Sequence, residues 1–141
     1  MDANLLARRV AETMLAAEGT GPAWELKLEE VRAGYARVSM QIRADMLNGH
    51  GYAHGGMIFS LADSAFAYVC NGANEASMAA QASIVFLDKV SEGETLVAEA
   101  EQVARGGRAG VTRVAVRSAD GRTVAEFTGY SRTLGGAVVE I

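Results

Sequence analysis

Apolar residues recur at helical spacing through the first part of the chain: Leu5, Leu6, Val10, Met14 and Leu15, with alanine between them and Gly19 as a stop. The spacing predicts an amphipathic helix over 3–18, of about four turns. Thr20-Gly21-Pro22 is a break. Trp24, Leu26, Leu28 and Val31 then roughly alternate with polar residues, the period of a half-buried strand. Ala33-Gly34 makes a turn, and 35–42 reads as a second strand paired with the first in a hairpin. From Gly55 to about Asn71 the pattern changes again. Met57, Ile58, Phe59, Leu61, Ala62, Ala65, Phe66, Ala67, Tyr68 and Val69 leave almost no polar face. A surface helix would show one, so this helix is expected to be wrapped by a sheet. Gly72-Ala73-Asn74 ends it. Four more strands are expected over 77–87, 94–104, 110–118 and 122–132. Their turns are Ser91-Glu92-Gly93, Gly106-Gly107 and Asp120-Gly121, the last a hairpin dipeptide. Residues 134–141, with Gly135-Gly136, read as a loose tail.

The predicted order is helix, two strands, one long apolar helix, four strands. Segregated strands around one buried helix make an α+β domain. The 141 residues form one domain, 1–141, with the N-terminal helix as its first 19 residues. The net charge of −4 gives no electrostatic reason to expect a nucleic-acid partner. The single cysteine, Cys70, allows no intrachain disulfide and suits a reducing compartment. The opening segment has an early acid and two arginines within its apolar pattern, unlike a secretory leader. No run reaches the ~18 apolar residues of a membrane span. A cytoplasmic protein without a membrane partner is the expectation.

The candidate chemistry lies in Asn48–Tyr68, NGHGYAHGGMIFSLADSAFAY, which holds both histidines and runs from a glycine-rich loop into the apolar helix. Asp63 is the only acid of that helix. Phe59, Phe66 and Ala67, three or four positions away, share its face, and Ala62 adjoins it. A carboxylate buried there needs a partner or a use. A structural ion pair is the bland alternative, but no basic residue lies within the helix. Desolvation would raise the pKa of such a carboxylate, which suits a general base or a nucleophile. Gly55-Gly56 open the helix, where the first N–H groups have no intrahelical acceptor. A helix start free of side-chain bulk can stabilise an oxyanion, although glycine there also serves a plain tight turn. His50 and His54 stand four apart but among glycines, with no Cys or acid nearby to complete a zinc site. Cys70 is at the wrong helix end for a stabilised thiolate. Ser60 and Ser64 lack a strand-to-helix elbow, though Ser64 could help to hold substrate or water beside Asp63. Arg105-Gly106-Gly107-Arg108 could grip phosphate, or be an ordinary solvated hairpin turn.

Asn48-Gly49-His50-Gly51, His54-Gly55-Gly56 and Leu61-Ala62-Asp63, taken with the order of elements, resemble the hotdog-fold acyl-CoA thioesterases of the phenylacetic acid degradation type. The resemblance implies an antiparallel sheet wrapped around the central helix. It implies hydrolysis of a small CoA thioester, an aryl-acetyl one being a candidate, with no metal or redox cofactor. It makes Asp63 the catalytic carboxylate and the Gly55 N–H the oxyanion donor, with Asn48 and His54 positioning the thioester and water. It assigns Arg105, Gly106 and Arg108 to coenzyme A. One departure stands out: Asp88-Lys89 occupies the place where relatives often carry Arg-Pro. Two rival functions share the fold, an enoyl-CoA hydratase or dehydratase and a non-catalytic acyl-CoA sensor. Helix geometry adds an expectation. Gly55 and Asp63 are eight residues apart, roughly 12 Å along one helix. One helix does not easily offer both groups to a single carbonyl, so a homodimer with two shared sites is expected. A dimer of dimers is implied by the resemblance alone.

Overall fold

Asp2 starts the first helix: its carboxylate accepts the N–H groups of Asn4 at 2.8 Å and Leu5 at 3.2 Å, satisfying two orphan donors. In the computed structural model, which describes every residue from Met1 to Ile141, this helix, α1, spans Ala3–Ala17. It buries Ala7, Val10 and Ala11. Glu18 leaves the helix in an extended conformation, and its carboxylate accepts the Tyr68 hydroxyl at 2.6 Å. The expected break at Thr20-Gly21-Pro22 is a one-turn helix, α2 (Thr20–Ala23). Glu25 then takes a left-handed φ of 55°, which delays the first strand. β1 therefore runs over Lys27–Arg32 and excludes Trp24.

β2 (Tyr35–Gln41) pairs with β1 as a hairpin. A 3-10 turn at Ala44–Met46 and the glycine-rich loop lead into α3 (Gly55–Cys70). Then follow β3 (Ser77–Phe86), β4 (Thr95–Gly106), β5 (Ala109–Ser118) and β6 (Thr123–Thr133). The six strands form one sheet in the order β1-β2-β4-β5-β6-β3, and every pairing is antiparallel. Because α3 intervenes between β2 and β3, the chain crosses the sheet, and β3 becomes the edge opposite β1.

The alternation in β4 and β5 puts Leu96, Ala98, Ala100, Val114 and Val116 on the inner face, fully buried beneath α3. Phe59 and Phe66 of α3 both pack on Phe127 of β6, with ring centroids 5.3 and 5.8 Å apart. Truncating an aromatic in such a position costs about 3–5 kcal/mol. Their clasp fixes the rotation of α3, and Asp63 lies between them on the same helical face. The sheet covers only part of the helix. Ile58, Leu61, Ala62, Ala65, Phe66, Tyr68 and Val69 are buried, whereas Gly56 is exposed and Ser60, Asp63, Ala67 and Cys70 are only partly covered.

The tail differs from expectation. Residues 134–141 contain no helix or strand, yet the Asn74 side-chain oxygen Oδ1 accepts the N–H groups of Val138 and Val139, both at 2.9 Å. Val139 is buried, and Leu134 and Gly136 bond the backbone of Ala76. Glycine composition signalled looseness, but the side chain that ties the segment down lies 64 residues before Val138 and 65 before Val139 and carries no local signature.

Candidate active site

The start of α3 is built by His54. Its backbone is extended, and its Nδ1 accepts the N–H of Gly56 at 2.8 Å, so the imidazole is the helix cap. An accepting Nδ1 places the ring proton of the neutral imidazole on Nε2. Gly56 permits this approach, since a Cβ there would lie 3.0 Å from Nδ1. The next two N–H groups, of Met57 and Ile58, turn back to the His54 carbonyl at 2.9 and 3.3 Å. Gly55 alone in the first turn has an N–H with no acceptor.

That N–H belongs to the wall of a cavity of about 360 Å³ lined by Asn48, His50, Tyr52, Ala53, Gly55, Ile58, Phe86, Asp88 and Lys89. Asn48 holds the loop. Its side-chain oxygen Oδ1 accepts the N–H groups of His50 at 2.9 Å and Tyr52 at 3.2 Å, which leaves its amide N–H₂ without a partner in the loop. Lys89 stands with its ammonium 4.9 Å from the Tyr52 ring centroid. Asp88 is engaged by Arg122 at 3.2 Å. The place of the Asp88-Lys89 departure is thus a wall of the same cavity.

Asp63 is half-buried and makes no hydrogen bond or ion pair. Burial pushes its carboxyl above the ordinary carboxylate range, and no neighbouring cation offsets the effect. It does not line the cavity that contains Gly55. Within one chain, therefore, the acid and the free donor face different spaces. Ser64, also half-buried, makes no hydrogen bond. Cys70 lies two turns beyond Asp63. Burial, with the Asp63 charge second, pushes its thiol up to about 12, so it remains a neutral, weakly nucleophilic group.

The basic hairpin does not act as a unit. Arg105 is ion-paired with Glu75 and borders a cavity beneath α1, together with Leu6, Cys70 and Gln102. Gly106 and Arg108 line a different cavity, of about 310 Å³, with Tyr130, Ser131 and Arg132. Arg108 makes no ion pair, and sequence spacing alone could not separate the two arginines. Sequence reasoning also missed Tyr52 and Phe86 as cavity residues, because each looks like an ordinary apolar position in its segment.

Comparison with known proteins gives the family and the fold. The thioesterase superfamily signature matches residues 50–125. The acyl-coenzyme A thioesterase PaaI of Escherichia coli K12 is 43% identical over 105 residues, 74% of this chain and 75% of that protein. The structure of E. coli PaaI, from its phenylacetic acid degradation operon, superposes with a TM-score of 0.94 and 36% identity over 96% of this chain and 99% of that one. A hypothetical thioesterase from Streptococcus pneumoniae TIGR4, solved with coenzyme A, gives a TM-score of 0.77 at 27% identity over 79% of this chain and 90% of that one. With its six-stranded antiparallel sheet, its central helix and these relatives, this chain belongs to the thioesterase superfamily and is a hotdog-fold thioester hydrolase.

Proposed function

We propose that the protein hydrolyses small acyl-CoA thioesters, aryl-acetyl ones among them, to the free acid and coenzyme A. The observation that carries this reading is the pairing of an unpartnered Gly55 N–H with an unpartnered, half-buried Asp63 on the same helix. The thioester oxygen sits at the Gly55 N–H, where negative charge develops in the tetrahedral intermediate. Asp63 either takes a proton from the attacking water or attacks the carbonyl itself. Collapse of the intermediate expels the coenzyme A thiolate, and where Asp63 itself attacked, water then cleaves the acyl–Asp63 anhydride to release the acid and restore the carboxylate. Asn48, with its free amide N–H₂, and His54, through the cap, position the reacting groups. Ser64 holds substrate or water beside Asp63. Gly106 and Arg108 contact the nucleotide end of coenzyme A; Arg105, held by Glu75, has the weaker claim.

The site is shared between two subunits on this reading. Eight residues of helix separate Gly55 from Asp63 by roughly 12 Å, beyond the ~3 Å reach of a donor to the oxygen at which it acts. Two antiparallel α3 helices, with the start of one beside the middle of the other, remove the difficulty. The partly covered face of α3 and the long edge strand β3, with Met78, Val85 and Phe86 exposed, supply surfaces for such a pair. A dimer of dimers is a further step resting on the family resemblance.

A hydratase needs a histidine free to act with an acid on carbon and oxygen. Here the Nδ1 of His54 is occupied by the cap, which favours hydrolysis. The test is thiol release from a panel of acyl-CoAs, with Asp63→Ala as control. Release from aryl-acetyl-CoA that disappears in Asp63→Ala is expected. Hydration of an enoyl-CoA without thiol release would overturn the reading.

A further inference from the structure

Gly55 occupies the first position of α3 and does not have a positive φ, so its backbone places no demand for glycine. The demand comes from across the cavity. A Cβ at Gly55 would lie 3.2 Å from Cζ of Phe86 and 3.5 and 3.6 Å from its two Cε atoms. The far end of the phenyl ring therefore borders the space that a side chain would take on the residue whose N–H is free. The backbone that carries the ring is anchored. Phe86 pairs with Ala125, the Leu87 N–H bonds the Val124 carbonyl at 2.8 Å, and Asp88 is tied to Arg122. Phe86 is 50% exposed and lines the same cavity as Asn48 and Gly55.

We infer that Phe86 is a positioning and specificity residue for the thioester, its ring setting the width of the passage to the Gly55 N–H and favouring glycine at position 55. This rests on the reading of that N–H as the oxyanion donor. A thioester oxygen at Gly55 lies beside the ring, which excludes water from one side of the donor. Fewer competing waters strengthen the hydrogen bond to the developing oxyanion. A β-carbon at residue 55 and the ring compete for one space, so the two positions are energetically coupled.

The experiment is a double-mutant cycle on the full-length protein, read as kcat and KM with an aryl-acetyl-CoA and with acetyl-CoA. Phe86→Ala should lower kcat about tenfold with KM within about threefold, a loss confined to the transition state. Phe86→Leu, which lacks the distal ring atoms, should lose less. Gly55→Ala should lose roughly tenfold, and Gly55→Ala combined with Phe86→Leu should be faster than the product of the single effects by about threefold or more. Unchanged melting and unchanged oligomeric state in Phe86→Leu separate this role from a structural one. Strictly multiplicative effects, or the same aryl-acetyl to acetyl ratio in all variants, would overturn the inference while leaving thiol release and its dependence on Asp63 in place. Loss of the Asp63 dependence would instead remove the reading beneath it, and the inference with it.

Discussion

His54 Nδ1 accepts the N–H of Gly56 at 2.8 Å, and this bond determines which donor of the helix start stays free. With Met57 and Ile58 turned to the His54 carbonyl, Gly55 is the one residue left. A histidine is an unusual cap, and its work there is done by an acceptor atom, Nδ1.

The role is therefore open to substitution. Asn at a helix start accepts the same N–H, so His54→Asn should keep most of the stability, whereas His54→Ala should lose about 1 kcal/mol. Thermal melting of both variants, with kcat measured beside it, checks this. Activity in His54→Asn well above that of His54→Ala identifies a cap. Equal and complete loss in both would point to the imidazole acting on substrate.

Asp63 should show itself twice. Asp63→Asn should lower kcat by about two to four decades, the scale of an acid–base group. It should also raise the melting temperature at neutral pH. Burial raises the folded-state pKa of Asp63, so the folded protein holds the proton more tightly than the unfolded chain does. The stabilisation linked to that proton is complete below the unfolded carboxylate pKa and is lost as pH rises through the folded value. The gain in Asp63→Asn should thus shrink on acidification. For the same reason the acid limb of kcat/KM in the wild type should lie above the ordinary carboxylate range. A limb within that range, or an Asn variant that melts below wild type at neutral pH, contradicts the assignment.

The two hairpin arginines should separate. Arg108→Ala should raise KM for an acyl-CoA more than for the matching acyl-pantetheine thioester, which lacks the nucleotide. Arg105→Ala should change that ratio less, since its guanidinium is paired with Glu75. Equal effects of Arg108→Ala on both thioesters would remove the hairpin from nucleotide binding.

Much of this architecture can be read along the chain because its signals are local. The apolar run from Met57 to Val69 marks a core helix, and the alternation in β4 and β5 marks strands with one buried face. Gly55-Gly56 followed by Asp63 marks the proposed chemistry by spacing along one helix. What was not legible depends on partners distant in sequence. The docking of the tail depends on Asn74, the loss of a free Arg105 on Glu75, and the wall over Gly55 on Phe86. The late start of β1 depends on a single left-handed residue, Glu25, a conformation its type rarely takes.

The central claim is that one site joins Gly55, His54 and Asn48 of one subunit to Asp63 of the other. Mixing Asp63→Ala with Asn48→Ala, each inactive alone, under conditions that exchange subunits tests it most directly. Each mixed dimer then holds one intact site and one doubly damaged site, so activity should return to about half of wild type per mixed dimer. Exchange demonstrated by mass or fluorescence with no return of activity, or a fully active monomer, would contradict the shared site.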